Sequence, residues 1–139
     1  MYTRSGRKLT ELRKIVAEVG VIKDAAGSAR FAFGNTEIYC AVDGPKEVLP
    51  KHLEDPEKAI IKFKYDMLPF STAERTKPGL NRRDIEISEV VKQALEGAII
   101  VNQLPKTMIE INAYVIQADA GTRTATLNAA SLACASAGI

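Results

Sequence analysis

The sequence predicts a single α+β domain in which helices pack on a mixed β-sheet. Five short segments alternate apolar and polar residues with the period of two that a half-buried strand requires. The period changes to that of a helix after Asp84, and a second helical segment follows the fifth strand. This order of four strands, a helix, a strand and a helix is typical of an α+β architecture. A length of 139 residues favours one domain, spanning 1–139.

The first three strands are predicted to form an antiparallel meander. Alternating apolar residues mark them at Ile15, Ala17, Val19 and Val21, at Ala29, Phe31 and Phe33, and at Ile38, Cys40 and Val42. The first strand is predicted over 15–21, and the turn sequence DAAG at 24–27 separates it from the second. Gly34 and Asn35 then favour a tight hairpin turn, because glycine reaches positive φ at little steric cost.

A fourth strand, a helix and a fifth strand follow a loop that contains three prolines. The strands are marked by Ile61, Phe63, Tyr65 and Met67 and by Ile109, Ile111, Ala113 and Val115. Between them, helical spacing predicts an apolar face made of Ile87, Val91, Ala94, Ala98 and Val101. Pro105 ends this segment, because proline cannot continue a helix.

The end of the sequence predicts a phosphate site. The fifth strand runs through QADAGTR into a helix of small residues, predicted from about 123 to 137 with Gly138 as its C′ cap. Gly121 lets a bound group approach the backbone, Thr122 is the candidate N-cap, and the free amides of the first turn attract anions. The Arg123 guanidinium adds a planar fork that matches two phosphate oxygens. The small side chains that let this helix pack closely are Ala125, Ala129, Ala130, Ala133 and Ala137.

A second cationic cluster lies at the start of the other helix. The segment RTKPGLNRR contains cations and no acid, and it ends with Arg82 and Arg83 directly before Asp84. A helix dipole disfavours cations at the amino terminus, so two arginines there indicate an anionic partner. Two alternatives stay open: a solvated basic loop here, and an ion pair between Arg123 and Asp119 at the other helix.

Several other chemistries are disfavoured by the sequence. His52 is the only histidine, which excludes a multi-histidine metal site and argues against a histidine-based triad. Neither a GxxxxGK[ST] loop nor a GxGxxG motif is present, which argues against NTPases and dinucleotide enzymes. Asp84 and Glu86 form a D-x-E pattern, but residues two apart do not face each other on a helix. We interpret them as acids that offset the helix dipole, and we predict no metal site.

The cysteines and the hydropathy pattern bear on the cellular compartment. Cys40 and Cys134 lie in apolar surroundings without a CxxC partner, so buried reduced thiols are expected. The sequence shows no signal-peptide pattern and no apolar run of the ~18 to 20 residues that a membrane span needs. We therefore expect a cytoplasmic protein without a membrane partner.

Three segments together resemble the RNase PH family of phosphorolytic exoribonucleases, and within it the catalytic RNase PH-like subunits of the archaeal exosome. The segments are GSARFAFGNTEIYCAVDGPKE, LPFSTAERTKPGLNRRDIEIS and QADAGTRT. The resemblance covers essentially the whole chain and implies the RNase PH-like fold, also called ribosomal protein S5 domain 2-like. It further implies 3′ to 5′ degradation of RNA. In that reaction inorganic phosphate, as co-substrate, attacks the terminal phosphodiester and reversibly releases a nucleoside 5′-diphosphate.

The resemblance also implies roles for individual residues. Gly121, Thr122 and Arg123 match the phosphate-binding motif of the family, and Arg123 is the catalytic candidate. Arg82 and Arg83 match the arginines that hold the RNA backbone near its 3′ end.

Two further basic residues match RNA-binding positions of the family. Arg75, in STAER, matches a basic position near the site. Lys51 falls in the loop that lines the central pore in similar exosome subunits, and a solvated lysine is the alternative.

The implied partners are those of an exosome ring. They are a single-stranded RNA 3′ end, a second RNase PH-like subunit in a hexameric ring, and S1/KH-type RNA-binding cap subunits. A homohexameric RNase PH that trims tRNA 3′ ends is one alternative, and a non-catalytic RNA-binding ring subunit is another.

The resemblance places part of the catalytic machinery outside this sequence. The general-acid aspartate of the family, and the acids assigned to Mg²⁺, belong to a second half of the domain that would follow Ile139. We therefore expect a domain that is incomplete at its C-terminus. Ser5 also stands where many exosome subunits carry an acid.

Overall fold

The computed structural model describes residues 6–139 and confirms the α+β prediction. Ser5 lies outside the described residues. The strands are β1 (Ile15–Val19), β2 (Gly27–Phe33), β3 (Thr36–Glu47), β4 (Ile60–Met67) and β5 (Thr107–Gln117). The helices are α1 (Arg82–Ala98) and α2 (Thr122–Ser136), and short 3₁₀ turns span Lys51–Leu53 and Val101–Gln103.

The strands form one mixed sheet in the order β1-β2-β3-β5-β4. The predicted meander is confirmed, because β1, β2 and β3 pair antiparallel and Gly34 adopts a φ of 65° in the turn between β2 and β3. β5 pairs antiparallel with β3 and parallel with β4. Since α1 connects β4 to β5, these three elements form a βαβ unit.

Both helices contribute to one hydrophobic core with the inward-facing strand residues, among them Ile38, Tyr65 and Ile111. The predicted close packing of α2 is confirmed: the helix lies against β2 and β3, and Ala129 and Ala133 are fully buried. Its end is confirmed as well. Gly138 has a φ of 80°, and its N–H donates to the Ala135 carbonyl at 3.1 Å.

The predicted extent and burial of β1 are partly wrong. The strand ends at Val19 and not at Val21, and Gly20 follows with a φ of 71°. Ile15 and Val19 are 52% and 58% exposed, because β1 is the edge strand and α2 packs mainly on its neighbours. Apolar alternation therefore identified the strand but not how much of it the helix covers.

The predicted apolar face of α1 needs a similar correction. Ile87, Val91 and Leu95 are buried, whereas Ala94 and Ala98 are exposed. A spacing of four residues keeps the first three on one face of the helix. Val101 lies beyond the helix, in the second 3₁₀ turn.

The two cysteines are free and buried, as predicted. Cys40 lies on β3 and Cys134 on α2, and burial raises the pKa of both thiols. Within residues 6–139, neither helix is long and apolar enough to cross a bilayer.

Candidate functional site

The topology brings the amino termini of both helices to one edge of the sheet. β4 and β5 are parallel neighbours, so their carboxyl ends lie at the same edge. α1 follows β4 through the loop at 68–81, and α2 follows β5 after a short junction at 118–121. Ligand sites of α/β sheets commonly form at this position, outside the carboxyl ends of the strands. The two cationic clusters of the sequence therefore share one edge.

The first turn of α1 is fixed by a capping box. Asn81 accepts a hydrogen bond from the Asp84 N–H at 2.9 Å, and the Asp84 carboxylate accepts one from the Asn81 N–H at 3.2 Å. Asp84 is buried, which raises its pKa. Arg82 and Arg83 are the first two residues of the helix, as predicted, and both are exposed. Asp84 thus caps the first turn of α1 through hydrogen bonds with the backbone and side chain of Asn81.

The first turn of α2 begins differently from the prediction. Gly121, with a φ of 75°, is the N-cap, and no side chain caps this end of the helix within the described residues. Thr122 is not the N-cap: it is the first helical residue, and its side chain is buried. The first amides of a helix have no partner inside the helix. Those of α2 consequently remain available to a ligand at this edge of the sheet.

Tyr65 connects β4 with both helices. Its buried hydroxyl donates to Thr122 Oγ1 at 3.1 Å, and its N–H donates to the Ser88 hydroxyl of α1 at 2.9 Å. Burial raises the pKa of the phenol, and the positive charges of Arg83 and Arg123 act on it in the opposite direction. Tyr65 is thus hydrogen-bonded to both of the helices whose first turns carry the arginines.

Arg123 is paired with Glu86, the fifth residue of α1. The distance from Arg123 Nη2 to Glu86 Oε1 is 3.0 Å, and the two side chains are 51% and 57% exposed. The proposed alternative, an ion pair between Arg123 and Asp119, is therefore wrong. A pair this exposed contributes little to stability, at most about 1 kcal/mol. An anion that binds the guanidinium more strongly can displace the carboxylate.

The junction before α2 is held by two side chains that the sequence did not single out. The buried Thr36 hydroxyl accepts from the Asp119 N–H at 3.0 Å and donates to the Ala120 carbonyl at 2.7 Å. Arg13 Nη1 donates to the carbonyls of Asp119 and Ala120 at 2.8 and 3.0 Å. Asn35 adds a longer contact of 3.4 Å to the Asp119 carboxylate.

The loop at 68–81, which contains the basic segment, begins at the same edge of the sheet. The Ala118 N–H, just after β5, donates to the Ser71 carbonyl at 2.8 Å, which ties the base of the loop to the junction before α2. Ser71 is buried, and its hydroxyl has no partner among the described residues. Arg75 is exposed in this loop. Arg75 and the arginines at the start of α1 thus belong to one basic segment, 75–83, that begins in this loop.

Lys51 lies away from this cluster. It belongs to the 3₁₀ turn before β4, whereas the site lies beyond the carboxyl end of that strand. Its side chain is 74% exposed and reaches Glu47 at 3.4 Å. The structure therefore gives Lys51 no contact with the three arginines.

A metal ion finds no ready ligand set in this part of the protein. Among residues 6–139, no three side chains of His, Cys, Asp or Glu come together in a way that could hold one. At this edge Glu86 and Asp84 are engaged with Arg123 and with the Asn81 backbone.

The sequence missed Tyr65, Ser88, Thr36 and Arg13 as parts of the site. Tyr65 was interpreted only as an inward-facing strand residue, and nothing near Thr36 or Arg13 in the sequence indicates their long-range partners. One local signal was available. The spacing of Asn81 and Asp84 is that of a capping box and identifies the start of α1.

Comparison with known proteins places the chain in a family of 3′ exoribonucleases. Residues 11–139 match the RNase PH model described as the 3′ exoribonuclease family, domain 1. Over 134 residues the chain is 55% identical to exosome complex component Rrp41 of Pyrococcus abyssi, covering 96% of this chain and 54% of that protein. It is 52% identical to Rrp41 of Archaeoglobus fulgidus, with coverages of 96% and 52%. The chain thus spans about half the length of these relatives.

Two solved structures share the fold. Rice (Oryza sativa) Rrp46 superposes with a TM-score of 0.84 at 27% identity, over 97% of this chain and 61% of that one. A chain of the Archaeoglobus fulgidus exosome, solved with RNA bound to the active site, superposes with a TM-score of 0.81 at 22% identity, over 96% and 55%. At that identity the second match supports the fold alone.

Proposed function

Because the chain belongs to the RNase PH family of 3′ exoribonucleases, we propose that it degrades RNA by phosphorolysis as the catalytic ring subunit of an archaeal exosome. The observation that carries the proposal is the convergence of two helix amino termini with Arg82, Arg83 and Arg123 at one edge of the sheet. The identity with Rrp41 proteins favours an exosome subunit over a homohexameric RNase PH.

The attacking orthophosphate binds at the start of α2 in this proposal. Gly121 leaves the backbone accessible. The N–H groups of Thr122 and Arg123 have no partner inside the helix, and they lie at the positive end of its dipole. The Arg123 guanidinium moves from Glu86 to the phosphate, where it can donate two parallel hydrogen bonds. The exposed position of the Arg123–Glu86 pair makes this exchange inexpensive.

The RNA backbone binds at the start of α1. Arg82 and Arg83 are exposed and stand against the dipole of their own helix, so a phosphodiester there neutralises them. Contacts of this kind hold the backbone and carry no sequence information. Arg75 on the adjoining loop extends the same surface, and Lys51 guides RNA at a separate position.

The reaction exchanges one phosphoester bond for another. An oxygen of orthophosphate attacks the phosphorus of the 3′-terminal nucleotide, and the bond to the 3′ oxygen of the preceding nucleotide breaks. The 3′ oxygen leaves with the electron pair and takes up a proton, which yields a nucleoside 5′-diphosphate and a shortened RNA. Because the bond formed resembles the bond broken, the reaction is reversible and also extends RNA.

Charge neutralisation is the main task of the described residues. Two like charges at about 5 Å repel by roughly 3 kcal/mol at an effective dielectric constant near 20. Three arginines and a helix amino terminus offset this repulsion while they hold both reactants in place. By resemblance to the family, the leaving oxygen takes its proton from an aspartate in the second half of the family's domain. By the same resemblance, the acids assigned to Mg²⁺ belong to that second half as well.

The partners proposed for the protein are those of the exosome ring. They are a second RNase PH-like subunit in a hexamer, S1/KH-type cap subunits and the 3′ end of a single-stranded RNA. The names of the Rrp41 relatives support an exosome assembly.

An assay of the reaction products tests the proposal. The protein, alone and assembled with a second RNase PH-like subunit, is incubated with RNA with and without phosphate. Nucleoside diphosphates that appear only with phosphate are the expected products. Monophosphates, or no product even in the assembly, contradict the proposal. Activity that requires the second subunit would indicate an exosome subunit, whereas activity of the protein alone would indicate a homohexameric RNase PH.

A further inference from the structure

We propose that Thr36 and Arg13 are positioning residues that hold the start of α2 in its anion-binding orientation, given the phosphate role proposed above for that helix. The two side chains come from distant parts of the sequence, and each binds the backbone of the junction before α2. Neither is placed in contact with RNA or phosphate.

Thr36 holds the junction from the interior of the protein. Its side chain is fully buried at the start of β3, and its hydroxyl both accepts from the Asp119 N–H and donates to the Ala120 carbonyl. One hydroxyl therefore satisfies a donor and an acceptor on adjacent residues. Asp119 and Ala120 are themselves exposed, so these two bonds attach an exposed junction to a fully buried side chain of the sheet and limit its freedom to rotate.

Arg13 holds the junction from the solvent side. Nη1 donates to two successive carbonyls, Asp119 and Ala120, and the guanidinium carbon lies 5.1 Å from the centre of the Phe33 ring. The same nitrogen is 3.9 Å from the position that a Cβ on Gly121 would occupy. Arg13 therefore engages carbonyl dipoles that would otherwise present negative charge close to the proposed phosphate.

The backbone at the junction is strained, so it must be held in place. Thr36 and Arg13 together act as the clamp that holds it. Ala120 has a φ of 59° and Gly121 a φ of 75°, so two successive residues are left-handed. Glycine adopts this conformation freely, but alanine is disfavoured there by its Cβ. Such a conformation persists only where the surroundings enforce it, and it often occurs at functional sites. The enforcing groups here are Thr36 and Arg13.

The clamp controls the direction of the first amides of α2. No side chain caps α2 within the described residues, so the direction of its first amides depends on the backbone of Ala120 and Gly121. If that backbone relaxes, the amides no longer converge on one anion. Loss of the clamp should therefore weaken phosphate binding more than it weakens RNA binding, which depends on Arg82 and Arg83 of the other helix.

The test is titration of the protein with inorganic phosphate, with binding monitored by ³¹P NMR. Thr36→Val preserves the shape of the side chain but removes both hydrogen bonds, and we expect phosphate affinity to fall about tenfold. Thr36→Ser restores the hydroxyl and should bind within about twofold of the native chain. Amide hydrogen exchange at 119–124 should be faster in Thr36→Val alone.

A matched control separates positioning from general loss of stability. The Thr107 hydroxyl donates to the Leu104 carbonyl at 2.7 Å, at the start of β5 and away from the site. Thr107→Val also deletes a hydroxyl contact, yet it should leave phosphate affinity unchanged. If Thr36→Val does not fold, Arg13→Gln replaces it, since it removes the contacts to both carbonyls without altering the core.

The outcomes distinguish this role from the proposed function. If the native chain binds phosphate and the variants at Thr36 and Arg13 bind it equally well, the clamp is wrong and the phosphate site stands. If Thr107→Val weakens binding as much as Thr36→Val, the effect is one of stability and the clamp is again wrong. If the native chain does not bind phosphate, both the site and its clamp are overturned.

Discussion

The Arg123 guanidinium lies 3.0 Å from the carboxylate of Glu86, a residue 37 positions earlier on the other helix. This pair joins the starts of α1 and α2 and shows that an anion already occupies the side of Arg123 that faces α1. An incoming phosphate must share the guanidinium with Glu86 or displace it. The carboxylate is therefore a built-in competitor, and its removal gives a directional test of where phosphate binds.

Glu86→Gln should strengthen phosphate binding. The substitution keeps the size of the side chain but removes the negative charge beside Arg123, and an exposed ion pair of this type is worth up to about 1 kcal/mol. Phosphate affinity should therefore rise by up to about fivefold, with the free energy of unfolding changed by less than about 1 kcal/mol. Calorimetric titration with phosphate provides the measurement.

Glu89→Gln is the control for this effect. Glu89 lies on the same helix and makes the same change in net charge, but its carboxylate contacts Gln93 at 3.2 Å instead of Arg123. It should alter phosphate affinity very little. An equal gain in both variants would mean that net charge alone governs binding, and a loss in Glu86→Gln would mean that Glu86 orients Arg123 instead of competing for it.

Arg123→Ala should abolish phosphorolysis while most RNA binding is retained. Loss of one preorganised donor to a developing charge commonly costs about 10²- to 10³-fold in rate. Arg123→Lys keeps the charge but not the planar fork, so we expect an intermediate rate. The rate is measured as diphosphate release by the assembled complex, and RNA affinity by fluorescence anisotropy. Equal loss of RNA binding and phosphorolysis would contradict a role in holding phosphate.

The double substitution Arg82→Ala and Arg83→Ala should weaken RNA retention and its dependence on salt. Each phosphate contact with single-stranded nucleic acid contributes about −0.7 to the slope of log affinity against log salt, so the slope should become shallower by about 1.4. The affinity is measured across a salt series. The double change Lys62→Ala and Lys64→Ala, on β4, alters net charge equally and should leave the slope intact.

The sequence predicted the local parts of this site better than their connections. The three arginines stand at helix starts because short-range spacing and composition determine where a helix begins. The partners of those helix starts come from far along the chain: Thr36 is 84 positions from Ala120, and Tyr65 is 57 from Thr122. Such contacts depend on the strand order, in which β5 inserts between β3 and β4. No local pattern carries that information.

The misassigned cap of α2 has the same origin. Threonine is a common N-cap, so Thr122 was the natural candidate from local sequence. In the structure its hydroxyl is engaged by the buried Tyr65, and Gly121 takes the cap position because it tolerates left-handed backbone. Exposure of Ile15 and Val19 was missed for a related reason, since alternation identifies a strand but not what covers it.

Gly27→Ala should destabilise the fold through α2. A Cβ at Gly27 would lie 2.6 Å from the Cβ and the N of Ala137, so helix and strand would have to separate. Overpacking of this kind typically costs about 1–3 kcal/mol, measured here by urea unfolding. Gly97→Ala on α1 is the control: a Cβ there meets nothing within 4 Å, and alanine should stabilise the helix by up to about 1 kcal/mol. Similar behaviour of the two variants would contradict close packing of α2 on β2.

The last prediction concerns the buried thiols and alkaline pH. Burial raises the pKa of Cys134 from 9.0 to about 11 and raises that of Cys40 as well. Above pH 9 the unfolded chain therefore loses thiol protons that the folded chain retains. By linkage, the free energy of unfolding falls as pH rises from about 9 toward 11.

Cys134→Ala isolates the contribution of one thiol. Urea unfolding of the native chain and the variant at pH 8 and pH 10.5 should show that the variant loses less stability over this interval, because one of the shifted groups is gone. Ellman's reagent gives a second measurement, since both thiols should react only as fast as the core opens. Parallel pH profiles for the two chains, or immediate labelling of the folded protein, would show that Cys134 is accessible and that the packing of α2 on β3 is looser than described.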